Sequence, residues 1–149
     1  MRYLEDFQPG QVFRFRSRPM SAEAIKAFAH EWDPQRLHID EDYAAGIHGS
    51  LIASGFQTIV EVFRPIMIEL MVGVANIGGM GLDNLRWLKP IRPDEALDIE
   101  ITVNAAAPSR SKPDRGVLKY TLIAKNPKGE EVFSTDVLVM MQTRAGGID

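Results

Sequence analysis

Gly49-Ser50-Leu51-Ile52-Ala53-Ser54-Gly55-Phe56-Gln57-Thr58-Ile59-Val60-Glu61-Val62-Phe63-Arg64-Pro65-Ile66-Met67-Ile68-Glu69-Leu70 is the stretch that decides the fold. Leu51, Ile52, Phe56, Ile59, Val60, Phe63, Ile66, Met67 and Leu70 spread around most of a helical wheel, and only Glu61, Arg64 and Glu69 carry charge. A helix that is apolar nearly all round is buried on most sides. Pro65 is expected to bend or break it after Arg64, because proline lacks the N–H that the helix ladder needs.

Downstream, the period changes from helical to alternating. The segments Val74 to Ile77, Leu82 to Leu88, Ala96 to Ala105, Gly116 to Lys125 and Glu131 to Gln142 read as strands. Asn126-Pro127-Lys128-Gly129 reads as a hairpin turn, with Gly129 suited to a positive φ. Upstream, Val12 to Arg16 alternates as a short strand, and Ser21 is the N-cap of a helix striped by Ile25, Phe28, Ala29 and Trp32. Pro34 stops that helix, so Asp33 stands at its exit. One long apolar helix beside a β-rich remainder gives an α+β class, with the sheet covering the helix.

The 149 residues fit a single domain, 1–149, with no repeat or linker to divide it. Apolar residues make up 45% and charged residues 25%, and the net charge is −3. That balance gives no reason to expect a nucleic-acid or anionic-membrane partner. The absence of cysteine excludes thiolate nucleophiles, disulfides and thiolate zinc sites. No apolar leader and no long uncharged apolar run is seen, so a cytoplasmic location is expected. His38, Asp40 and Asp42 do not form a dedicated metal set, and no metal is expected. Ile77-Gly78-Gly79-Met80-Gly81 lacks the lysine and context of a phosphate loop; it reads as a bulge or a close backbone approach.

Chemistry concentrates just before the long helix. Asp33-Pro34-Gln35-Arg36-Leu37-His38 holds a carboxylate and an imidazole in one Pro-bearing loop, where the two can handle a water and a proton together. His48-Gly49 follows, and a glycine N–H opening a helix can hold an oxyanion. Ser50, Ser54 and Gln57 either face a substrate channel or simply sit on the helix.

These residues resemble the MaoC-like dehydratases, which include the (R)-specific enoyl-CoA hydratases. The likeness rests on Asp33 to Asp40, on His48 to Ser54, and on Leu85-Arg86-Trp87-Leu88-Lys89-Pro90 leading to Pro93-Asp94-Glu95. It runs from about Phe7 to Gln142; Gln35 and Arg36 stand where that family has Asn and Pro. The resemblance implies a hotdog fold, a curved antiparallel sheet around one helix, in a homodimer or higher homo-oligomer. It implies hydration or dehydration at the C2–C3 bond of an acyl-CoA, with no cofactor beyond the thioester substrate. Asp33 and His38 would carry the water chemistry, Gly49 the oxyanion, and Ser50 and Ser54 substrate contacts. Two alternatives remain open at this point: a hotdog acyl-CoA thioesterase, for which Glu61 and Glu69 are the helix carboxylates, and a non-catalytic acyl-CoA binding protein.

Overall fold

A computed structural model describes residues 1–146. Its elements are β1 (Val12–Arg16), α1 (Ala22–Trp32), α2 (Arg36–Ile39), α3 (Glu41–His48), α4 (Gly55–Glu69), β2 (Asn76–Trp87), β3 (Asp98–Pro108), β4 (Arg115–Lys125) and β5 (Glu131–Gln142), with short 3-10 turns between some of them. The strands form one antiparallel sheet in the order β1-β3-β4-β5-β2.

Strict alternation gives β4 its two faces: Leu118, Tyr120, Leu122 and Ala124 are buried on one side. Val62 and Ile66 of α4 join them, with Ile99, Ile101 and Phe133, in a single core cluster. Each such side chain contributes about 1.5–3 kcal/mol when fully removed from water. The Asn126–Gly129 turn forms as expected, with Gly129 at φ +78.

Four sequence expectations need correction. The central helix begins at Gly55, not Gly49; residues 50–54 form an irregular segment ahead of it, neither helix nor strand. Pro65 does not end it, and the helix continues to Glu69 because Pro65 and Ile66 are packed in the interior. Nor is α4 buried on most sides: the sheet covers one face, and Phe56, Val60 and Ile68 are exposed on the other. The two short strands expected on either side of the glycine run are one strand, β2. It absorbs the glycines through register shifts near Asn76–Gly81 and a further one at Asp83–Arg86, where Asn84 takes φ +51.

Candidate active site

Ser21 caps α1 by accepting the Ala24 N–H at 3.0 Å, and Asp33 closes the helix as its C-cap. Pro34 cannot continue the helix, so the chain turns into α2, whose one turn carries His38 back under the loop. The segment ahead of α4 is pinned on both sides: Ile52 N–H reaches the Leu37 carbonyl at 3.4 Å, and Ala53 N–H reaches the Ile91 carbonyl at 2.9 Å. Ser54 then caps α4. A helix exit, a single helical turn and a helix start thus converge on one place.

Asp33 and His38 meet there, with Oδ2 and Nε2 3.4 Å apart and side chains only 11% and 8% exposed. Each partner is held from behind. Gln35 Nε2 donates to Asp33 Oδ1 at 2.7 Å, and Ser54 Oγ donates to Oδ2 at 2.7 Å. His38 Nδ1 lies 2.8 Å from the Ile52 carbonyl oxygen. A carbonyl only accepts, so Nδ1 bears a proton, and the ring turns Nε2 toward Asp33. Burial pushes the Asp33 carboxyl up, but the Gln35 and Ser54 hydrogen bonds and the nearby imidazole outweigh it and hold the group below the usual carboxylate range. The Asp33 carboxylate oxygen and the His38 Nε2 therefore face the same point, where both can hold one water.

The pair opens into a cavity of about 420 Å³. Its walls include Ile52, Gly55, Phe56, Thr58, Trp87 and Lys89. Gly55 is the first residue of α4, and its N–H finds no acceptor among the described residues. That orphan donor sits at the positive end of a 15-residue helix.

Of the residues singled out in the sequence, Asp33, His38 and Ser54 come together. Ser54 does so as a hydrogen-bond donor to Asp33 rather than as a cavity-facing group. Gly49 does not join them. It ends α3 as a left-handed cap with φ +81, and its N–H bonds the Ala45 carbonyl at 2.9 Å. The basic residue before it and the glycine itself form a helix-stop pattern rather than a helix-start pattern. Ser50 is likewise outside the cavity, where Arg92 Nη1 donates to its hydroxyl at 2.8 Å and also reaches the His48 carbonyl. Gly55 and Trp87 are the cavity residues that sequence reasoning missed. The Ser54-Gly55 pair, a serine cap ahead of the apolar helix, was the available signal for the first.

Gln35 and Arg36, the two departures from the family pattern, both have defined places. Gln35 braces Asp33, while the Arg36 guanidinium lies 4.0 Å over the Tyr43 ring and pairs with Asp40 at 2.9 Å. Glu61, the buried helix carboxylate, is held on both oxygens by Arg18 at 2.9 Å and does not line the cavity. Among the described residues no group of three or more His, Asp or Glu gathers in a metal-ligating cluster, and no helix is long and apolar enough to cross a membrane.

Comparison with known proteins places this geometry. The MaoC like domain model matches residues 6–126. The Bacillus subtilis (strain 168) protein YdeM, itself uncharacterized, is 34% identical over 140 residues, covering 93% of this chain and 98% of its own. The solved MaoC-like dehydratase from Rhodospirillum rubrum is 36% identical with a TM-score of 0.82, covering 97% of this chain and 99% of that one. The R-hydratase PhaJ1 of Pseudomonas aeruginosa shares the fold at 20% identity and a TM-score of 0.73, covering 95% of this chain and 86% of that one. The fold in common is the hotdog fold. With the family model spanning most of its length, this chain belongs to the MaoC-like domain family.

Proposed function

We propose that this chain is a hydro-lyase that adds water to, or removes it from, the C2–C3 bond of a trans-2-enoyl thioester, the acyl group being carried on coenzyme A. The observation that carries the reading is the pairing of Asp33 Oδ2 with His38 Nε2, 3.4 Å apart on the wall of a cavity that also holds the unpaired Gly55 N–H. Similarity to the MaoC-like dehydratases supports it, and the (R) stereochemistry is proposed from the likeness to the R-hydratase PhaJ1.

In the hydration direction, the water sits between Asp33 and His38. Its oxygen attacks C3, forming the C3–O bond as one O–H bond of the water breaks and its proton passes to the pair. The electron pair of C2=C3 moves onto C2 and the thioester oxygen, where the Gly55 N–H meets the charge. C2 then takes a proton returned from the pair. The Ser54 and Gln35 hydrogen bonds favour the ionised form of Asp33 before the proton is taken up. Each acid–base group is typically worth about 10²–10⁴ in rate, and an oxyanion donor on the order of 3–4 kcal/mol. The oxyanion role thus moves from Gly49 to Gly55, which has the free donor.

The same reading includes a second copy of the chain as partner. β2 is an edge strand with exposed Ile77, Met80 and Leu82, and the adjoining face of α4 exposes Phe56 and Val60. An unprotected apolar edge of this kind is a pairing surface. The thioesterase alternative finds less support, because Glu61 is tied to Arg18 outside the cavity.

The test is absorbance at the enoyl-thioester band with crotonyl-CoA, run beside a thiol assay. Loss of the band without thiol release is expected. Thiol release would instead make the protein a thioesterase, and silence in both assays across short and long enoyl chains would leave a binding protein.

A further inference from the structure

One cavity side chain has no part in the water chemistry. Trp87, the last residue of β2, is 51% exposed and forms part of the wall beside Gly55. Its indole is fixed rather than free. Nε1–H donates to the Gly55 carbonyl at 3.0 Å. The ring lies so close to Gly55 that a Cβ there would stand 2.5 Å from Cε2 and 2.8 Å from Cζ2. Phe56 meets it edge-on, with centroids 6.4 Å apart and planes at 87°. Only glycine permits this approach, so the first residue of α4 serves both to bare an N–H and to seat an indole.

We propose that Trp87 is a specificity-determining residue that restricts the cavity to enoyl thioesters unbranched at C2. The inference rests on the hydratase reading and narrows its substrate class. A carbonyl oxygen taking the Gly55 N–H lies about 2.9 Å from that nitrogen, and its carbon only ~1.2 Å farther. The carbon next to it, C2, is one bond away and is still beside the glycine that the indole covers. A flat, unbranched enoyl group can lie along that aromatic wall. A methyl on C2 needs space the ring occupies, and the ring is held by a hydrogen bond, a backbone contact and Phe56. Rejection of one methyl by a rigid pocket is on the order of 10–200-fold in kcat/KM.

The experiment compares kcat/KM for crotonyl-CoA and for its 2-methyl analogue, tigloyl-CoA, in the wild type, W87A and W87F. The wild type is expected to favour crotonyl-CoA by at least about tenfold. W87A should close most of that gap by gaining on the branched substrate, while W87F, which keeps a ring but loses the Nε1–H, should retain much of it. The crotonyl-to-tigloyl ratio is the informative quantity, since a merely structural role would lower both rates together. An unchanged ratio in W87A, with crotonyl-CoA still hydrated, overturns the inference alone. If W87A does not fold, the same ratio in W87L decides, because leucine still packs on Gly55 but thins the wall. If the wild type hydrates neither, longer enoyl chains are compared with their 2-methyl analogues, and silence across all chain lengths overturns the hydratase reading and this inference with it.

Discussion

Two of the cavities that flank the central helix are alike in size but opposite in chemistry. The one at the first turn of α4, about 420 Å³, gathers Asp33 and His38 and gives their oxygens and ring nitrogen defined partners. The other, about 340 Å³, lies farther along between α4 and β5, and its walls are Ile59, Phe63, Met71, Val137 and Val139 with Tyr120. The Tyr120 hydroxyl is buried there with no hydrogen-bond partner among the described residues. Volume therefore does not locate the chemistry. What separates the two is whether buried polar groups are braced by others or stand alone.

Breaking the braced pair should have the largest effect. Asp33→Asn keeps the shape but removes the charge, and turnover should fall by at least about 10²-fold while circular dichroism and melting stay near wild type. Normal turnover in that variant would remove Asp33 from the chemistry and erase the contrast between the cavities.

A milder change sharpens the contrast. Ser54→Ala removes one of the two donors that hold Asp33 below the usual carboxylate range. The Asp33 pKa should rise toward its ordinary value, and the acid limb of the kcat/KM profile should move to higher pH. The stability sign follows the same direction. A depressed folded pKa contributes stability that is present above the unfolded value of about 3.9 and lost as pH falls through the folded pKa. Ser54→Ala should shrink that acid-side loss, which acid titration of the fold would read. An acid limb that does not move would mean that the profile reports another group.

The smallest effect is expected in the second cavity. Burial pushes the Tyr120 phenol up to about 12. A raised folded pKa contributes stability below the unfolded value near 10, lost as pH rises through about 12. Tyr120→Phe should abolish that alkaline loss. At neutral pH it should leave stability unchanged or raise it by up to about 1 kcal/mol, since an unpaired buried hydroxyl has no bond to lose. A clear drop in melting temperature would show that the hydroxyl has a partner after all.

The sheet was readable because β4 alternates strictly and β5 does so from Phe133 onward, and Gly129 marks their hairpin by its need for a positive φ. Asp33 and His38 were readable because one short loop carries both, so their meeting is nearly local. The start of α4 was not. Gly49 and Gly55 are both glycines beside helical sequence, and only the bonds from Ile52 to Leu37 and from Ala53 to Ile91 show that residues 50–54 pair outside the helix. Pro65 misled for a related reason: the penalty it imposes is local, and the core contacts of Pro65 and Ile66 that outweigh it are not.

The sequence by itself determined the element types, the α+β class and the acid–imidazole pair, because periodicity, capping and turn chemistry act over a few residues. The tertiary structure alone decided that Ser54 and Gln35 brace Asp33, that the free N–H belongs to Gly55, and that Trp87 reaches across 32 positions to bond the Gly55 carbonyl. Those contacts depend on where β2 and α4 lie in the packed sheet, and no local propensity encodes the distance between them.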